Sequence, residues 1–292
     1  LRRFLAAAGI GGMVVAVALW VISAPAPLST GYAEAHTTDA DNGAAVFTAA
    51  GCASCHAAPD AAGEAKLVLE GGHAFESDFG TFYAPNITYG PAGIGGWTLP
   101  EFARAVTQGV SPKGAHYYPA FPYTSYQHMT EGDVSDLFAY VKSLPVSEVA
   151  SIPHDVGFPF NIRRALGLWK ALYATPDFVM ADAPNPELER GRYIVEGLAH
   201  CGECHTPRTA LGGLDRDAWL TGAPNPSGKG RIPNITPAAL DWSESDLIYY
   251  FESGLTPDYD SVGGSMAAVV DNLAKLPESD RAAIAAYLKA LP

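Results

Sequence analysis

Two copies of one five-residue pattern, Cys-x-x-Cys-His, stand 149 residues apart and use every cysteine of the 292-residue chain: Cys52-Ala-Ser-Cys55-His56 and Cys201-Gly-Glu-Cys204-His205. Other landmarks recur in the same order. Pro85-Asn86-Ile87-Thr88, Trp97, Met129 and Tyr140-Val-Lys-Ser-Leu-Pro145 match Pro233-Asn234-Ile235-Thr236, Trp242, Met266 and Tyr287-Leu-Lys-Ala-Leu-Pro292. The separations are 148 for the Asn, 145 for the Trp, 137 for the Met and 147 for the last Pro. Near-constant spacing of this kind indicates a tandem duplication. The dip at the Met means that the first half has the longer loop before its Met and the second half the longer stretch after it. Length and 48 % hydrophobic composition independently allow two cores.

Cys-x-x-Cys-His is the pattern of c-type haem attachment. Two thiols on one helical turn can add to the two vinyl groups of one porphyrin, and the adjacent His then lies under the iron. A shared four-cysteine zinc site would not require a His after each pair, and the duplicated surroundings assign each pair to its own domain. The expectation is therefore two covalently bound haem c groups, with Cys52, Cys55, Cys201 and Cys204 as attachment points and His56 and His205 as proximal iron ligands. A backbone carbonyl in the loops that begin at Pro59 and Pro207 is the expected acceptor for each His Nδ1–H. The sixth ligand follows by elimination among four methionines. Met13 lies in the amino-terminal apolar stretch and Met180 between the halves, which leaves Met129 and Met266, one per half. Thioether ligation raises a haem's reduction potential.

Local patterns predict an all-α fold. Thr98 with Glu101, Thr130 with Asp133 and Ser243 with Asp246 are capping-box-like helix starts. Val134, Leu137, Phe138 and Val141 share one helical face, as do Ile284, Tyr287, Leu288 and Leu291. No convincing alternating strand is present. The division expected is an anchor at 1–24, a linker at 25–38, one domain at 39–147, a connection at 148–184 and a second domain at 185–292. The connection carries too many apolar residues, Trp169 and Leu172 among them, for a free linker, and should pack on both halves. Phe4 to Ser23 carries no charge, and twenty residues at about 1.5 Å each match the roughly 30 Å hydrocarbon core, so a single transmembrane helix in contact with lipid is expected. Arg2 and Arg3 would hold its amino end in the cytoplasm. A cleaved signal peptide is the alternative, but Ala24-Pro25-Ala26 imitates a cleavage site poorly. The formal net charge of -13 excludes a nucleic-acid partner and points to partners with a basic face.

With YAPNIT, GIGGWT, YYPAFPYTSYQHM and CGECHTPR in place, both halves resemble class I cytochrome c domains. The pair is similar to the haem subunits of membrane-bound bacterial dehydrogenases that oxidise alcohols, sugars and aldehydes. That resemblance implies the cytochrome c fold, with the first and last helices of each domain crossing at Gly43 with Tyr140 and at Gly191 with Tyr287. It also implies that the Trp97 and Trp242 indoles, with Asn86 and Asn234, contact haem propionates. Arg208 and Arg231 are either propionate partners or solvated surface residues. Many of those haem subunits carry three haem domains, whereas two are present here. The implied role is electron transfer from a dehydrogenase or quinol-oxidising complex to a terminal acceptor such as an oxidase, with no catalytic residues. The implied location is a bacterial inner membrane, with the haem domains in the periplasm. The alternative from a different class is a dihaem peroxidase-type enzyme, which would need one iron to open, and His128 is the residue beside Met129 that could replace it. A third possibility is an assembly anchor for a catalytic subunit.

Overall fold

The computed structural model describes residues 2–226 and 230–292, the side chains of residues 2 and 4–9 excepted. Helix α1 (Arg2–Ile22) occupies the stretch expected to cross a membrane, yet among the described residues no helix is long and apolar enough to do so. The fold class of the sequence reading is corrected accordingly. The side chains of residues 2 and 4–9, on which part of the expected span falls, lie outside the described ones. The carboxyl end of α1 is tied to the rest of the protein: Arg164 donates to Ser23 Oγ at 2.9 Å and to the Trp20 carbonyl at 2.6 Å.

The first half runs α2 (Ala40–Ala49), α3 (Cys52–His56), a hairpin of β1 (Ala74–Ser77) and β2 (Gly80–Tyr83), α4 (Leu99–Gln108), α5 (Tyr123–Tyr126) and α6 (Glu131–Ser143). After α7 (Leu166–Tyr173) in the connection, the second half runs α8 (Pro186–Arg192), a π-helical turn (Tyr193–Leu198), α9 (Gly202–His205), a two-residue ladder of β3 (Ala223–Pro224) and β4 (Arg231–Ile232), α10 (Glu244–Ser253), α11 (Met266–Leu273) and α12 (Glu278–Ala290). The two small antiparallel ladders correct the strand-free expectation: β1 and β2 pair Ala74 with Tyr83 through Ser77 with Gly80. Strands this short carry too few alternations to stand out in a sequence.

The helix starts follow local chemistry. Thr98 with Glu101 and Ser243 with Asp246 form reciprocal capping boxes. Thr130 accepts from the Asp133 amide, while the Asp133 carboxylate is taken by Asn42 and Tyr193 instead of returning to the cap. Val134, Leu137, Phe138 and Val141 are buried on α6, and Ile284, Tyr287, Leu288 and Leu291 at the end of the second half.

In each half the first and last helices cross at a glycine. A Cβ on Gly43 would lie 2.2 Å from the Asp136 carbonyl oxygen and 2.9 Å from Tyr140 Cβ; on Gly191 it would lie 2.0 Å from the Ala283 oxygen and 2.9 Å from Tyr287 Cβ. Only a residue without a side chain lets the backbones approach this closely. One apolar core runs through both halves, and Val46, Leu137, Ile194 and Tyr287 all belong to it. The connection packs on both: Lys170 Nζ donates to the Gln108 and Gly109 carbonyls, and Trp169 Nε1 donates to the Leu211 carbonyl at 2.9 Å.

Candidate haem sites

Each Cys-x-x-Cys-His motif forms a single helical turn entered through a left-handed residue, Gly51 (φ 63°) in the first half and His200 (φ 41°) in the second. That turn places the two cysteines of a pair three residues apart, about one helical turn, on one face. No disulfide joins any of the four cysteines. Burial pushes Cys52 and Cys201 up to about 12 and Cys55 to about 11, with neighbouring sulfurs adding to the effect, so these pockets disfavour thiolate.

His56 and His205 are held alike. The Nδ1 of each bonds to a proline carbonyl at 2.9 Å, Pro85 for His56 and Pro233 for His205. Both histidines are lowered, by burial first and against the raising effect of that bond, so both rings are neutral near pH 7 and present Nε2 as a lone-pair donor. This corrects the sequence reading, which put the acceptor in the loops at Pro59 and Pro207. Those loops instead bring the His56 and His205 carbonyls to the amides of Gly71 and Gly222, each at 2.7 Å. The repeated Pro-Asn-Ile-Thr was the signal for the true acceptor, since it recurs about 29 residues after each His with its carbonyl turned back to the ring.

The remaining expected residues divide. Met129 is buried and lies in the core with Cys52 and Trp97 beside it; Met266, at the start of α11, is half-buried and outside that core. Trp97 and Trp242 are half-buried, and among the described residues neither indole N–H has an acceptor, unlike Trp219, which donates to Tyr287, and Trp169. Asn86 is fully occupied. Its amide donates to the Ser147 and Val149 carbonyls and its oxygen accepts from Thr88 N and Oγ1, so it braces the loop and has no capacity left for a carboxylate. Asn234 makes the matching oxygen bonds to Thr236 but leaves its amide free among the described residues. Arg208 is engaged by Glu203 and the Gly212 carbonyl, and Arg231 sits on the exposed end of β4. His128 stacks on Phe178 with centroids 4.1 Å apart. Two further histidines are structural: His116 is buried between the Ser23 carbonyl and Lys170, and His36 bonds Asp136 at 2.7 Å.

The paired thiols one turn apart, the oriented neutral imidazoles and the two unpartnered indole donors fit a covalently attached, carboxylate-bearing porphyrin in each half. The motifs also approach one another. Asn272 of α11 donates to Ser54 Oγ inside the first motif at 3.1 Å, and Cys204 is close enough to Cys55 to add to the burial that pushes its thiol up. Tyr126 donates to the Ala50 carbonyl at 2.9 Å and meets the His200 ring edge-on at 5.5 Å.

Comparison with known proteins agrees with this chemistry. Residues 40–145 match the family model described as cytochrome c. A diheme cytochrome c-type protein of Cereibacter sphaeroides is 58 % identical over 257 residues, covering 88 % of this chain and 87 % of that protein. The fructose dehydrogenase cytochrome subunit of Gluconobacter japonicus is 39 % identical, covering 89 % of this chain but 54 % of its own length. The cytochrome c subunit of the alcohol dehydrogenase (quinone) of Komagataeibacter europaeus is 36 % identical, covering 91 % and 59 %. The chain thus spans little more than half the length of these two dehydrogenase subunits.

Proposed function

The chain belongs to the cytochrome c family as a protein with two covalently bound haem c groups, and from that premise we propose that it passes electrons from a dehydrogenase partner to a terminal acceptor such as an oxidase. It is an electron-transfer protein and not an enzyme in its own right, in line with relatives that are cytochrome subunits of fructose and alcohol dehydrogenases. The haem supplies a one-electron ferric/ferrous couple, and the protein supplies ligands, burial and a docking surface.

The observation that carries the reading is the twofold repeat of one arrangement. In each half a Cys-x-x-Cys turn precedes a His whose Nδ1 is fixed by a proline carbonyl, so Nε2 is the atom offered to iron. We assign His56 with Met129 and His205 with Met266 as axial pairs, Cys52, Cys55, Cys201 and Cys204 as attachment points, and Trp97 and Trp242 as propionate donors. Asn234 is assigned beside Trp242. Asn86 keeps its place as a brace of the site and not as a direct contact. The domains at 39–147 and 185–292 each carry one haem, in a compartment outside the cytoplasm; holoprotein retained inside spheroplasts would contradict that location. Two axial protein ligands per iron leave no position for substrate, which is why carrier chemistry is favoured over peroxidase chemistry.

The test is a potentiometric titration of the purified holoprotein, followed through the weak far-red band of thioether-ligated ferric haem. Two high-potential steps with that band at full strength are expected. Half the band, or one low-potential step, would mean that one iron is ligated otherwise and would overturn the paired assignment. Saturable peroxide turnover by the reduced protein would overturn the carrier reading itself.

A further inference from the structure

The loop that carries Met129 is held by parts of the chain beyond its own domain, and its counterpart in the second half is not. Between α5 and α6, Thr130 N donates to the Tyr193 hydroxyl at 3.2 Å, and that hydroxyl donates to the Asp133 carboxylate. On the other side of Met129, the His128 ring lies flat on Phe178, at 4.1 Å and 19° between planes, with the Arg192 guanidinium 4.3 Å from the same Phe ring. Gln127 donates to the Thr175 carbonyl at 2.6 Å. Tyr193 belongs to the π turn of the second half, and Phe178 and Thr175 belong to the connection. Residues 127, 128 and 130 are thus fixed by groups 45 or more residues away, with buried Met129 between them.

Among the described residues, the loop before Met266 has no such partners. Pro257 to Ser261 and Gly263 to Ser265 are exposed, and a Cβ built on Gly263 or Gly264 meets nothing within 4 Å. Its hydrogen bonds are local ones between Thr256 and Asp260 and from the Val262 amide to Gly254. Among the described residues, the hydrogen bond from α11 to the first half comes from its far end, at Asn272.

We propose that Tyr193 and Phe178 are positioning residues for the first haem, clamping the Met129 loop so that its thioether stays on iron, while the Met266 thioether exchanges readily with external ligands. The proposal rests on the assignment of Met129 and Met266 as axial ligands. Because axial exchange requires the Met to swing away from iron, every interaction that fixes its neighbours lowers the population of the open form. The unclamped second haem serves as an internal reference.

The experiment is an imidazole titration of ferric holoprotein, read by loss of the far-red band and by the reduction potential of each haem. Met129→Ala and Met266→Ala holoproteins assign the two shares of the band. In the wild type the second haem takes imidazole first. Tyr193→Phe removes the acceptor for Thr130 N and the donor to Asp133, and Phe178→Ala removes the ring under His128. Each raises imidazole affinity at the first haem about tenfold and lowers that haem's potential, with the second haem unmoved. Phe178→Tyr, which keeps the ring, restores wild-type behaviour. If Met129→Ala leaves the band whole, the axial assignment fails. If it removes half the band, but Tyr193→Phe and Phe178→Ala bind imidazole as the wild type does or weaken both haems equally, the clamp fails. Should Tyr193→Phe yield no holoprotein, the contrast between Phe178→Ala and Phe178→Tyr decides alone.

Discussion

Replacing Gly191 with alanine should unseat the second domain. The new methyl carbon would sit 2.0 Å from the Ala283 carbonyl oxygen and 2.9 Å from Tyr287 Cβ. A relaxed carbon–oxygen contact lies near 3.3 Å, so α8 and α12 must part by about 1 Å, enough to forfeit a quarter to a half of each contact's attraction. The helices meet along buried Ile284, Tyr287 and Leu288, and neither can shift without disturbing the Tyr287 hydroxyl, which donates to Glu196 and accepts from Trp219. The expected cost is about 3 kcal/mol, the upper end of the usual overpacking range. In urea, with a slope of about 2 kcal/mol per molar, the second-domain transition should fall by roughly 1.5 M. The control is Gly263→Ala, where a Cβ meets nothing within 4 Å and no positive φ is required; it should be neutral or slightly stabilising. The assay is urea unfolding of the holoprotein followed by far-UV circular dichroism and the haem Soret band. A Gly191→Ala midpoint within 0.3 M of wild type, about 0.6 kcal/mol on the same slope, would refute the close-crossing argument.

Other expectations follow from single contacts. Burial raises the Asp136 carboxyl, but the Asp39 amide, Asn42 and His36 outweigh it and hold it below the usual range, so its contribution is complete above about pH 4 and fades as pH falls through the lowered value. Asp136→Asn should therefore be destabilised at pH 7, and its gap to wild type should close in strong acid; a gap constant with pH would contradict this. Thr98→Ala removes one half of a reciprocal cap and should cost about 1 kcal/mol by chemical denaturation, whereas no change would mean that the Glu101 carboxylate caps α4 alone. With a formal charge of -13, the second-order rate of reduction by a basic partner should fall steeply with added salt, and a flat dependence would argue for an apolar docking face.

Much of the site was legible because its chemistry is local. The Cys-x-x-Cys-His turns, the caps and the buried faces of α6 and α12 each lie within a few residues of sequence, where helical periodicity fixes which side chains meet. The duplication did the rest by marking what both halves keep. Contacts made through the backbone were not legible. The carbonyls of Pro85 and Pro233 bond the histidines whatever side chain follows them, so residue type pointed to Asn86 as a ligand contact when its side chain closes the loop. The burial of His116 was not legible either, because nothing near it in sequence reveals Lys170 and Ser23 as its partners. The uncharged run at the amino terminus suggested a span by composition, but among the described residues no helix is long and apolar enough to cross a membrane.

One difference between the two copies traces to a single residue. Nine positions separate Gly43 from Cys52, and ten separate Gly191 from Cys201. Because each glycine is pinned at a helix crossing and each cysteine begins a fixed turn, the extra residue must be absorbed between them. It is absorbed as the π turn at Tyr193–Leu198, in which the Ala199 amide reaches back five residues to the Ile194 carbonyl; in the first half the Ala50 amide reaches back four, to Val46. Within that turn Glu196 is buried and receives the Tyr287 hydroxyl and the amides of Val179 and Met180. Those amides follow Phe178 directly, and Tyr193 opens the turn. The turn that absorbs the inserted residue opens at Tyr193, whose hydroxyl holds one side of the Met129 loop, and through Glu196 it anchors the segment that carries the ring on the other side, which ties this divergence of the copies to the interface between them.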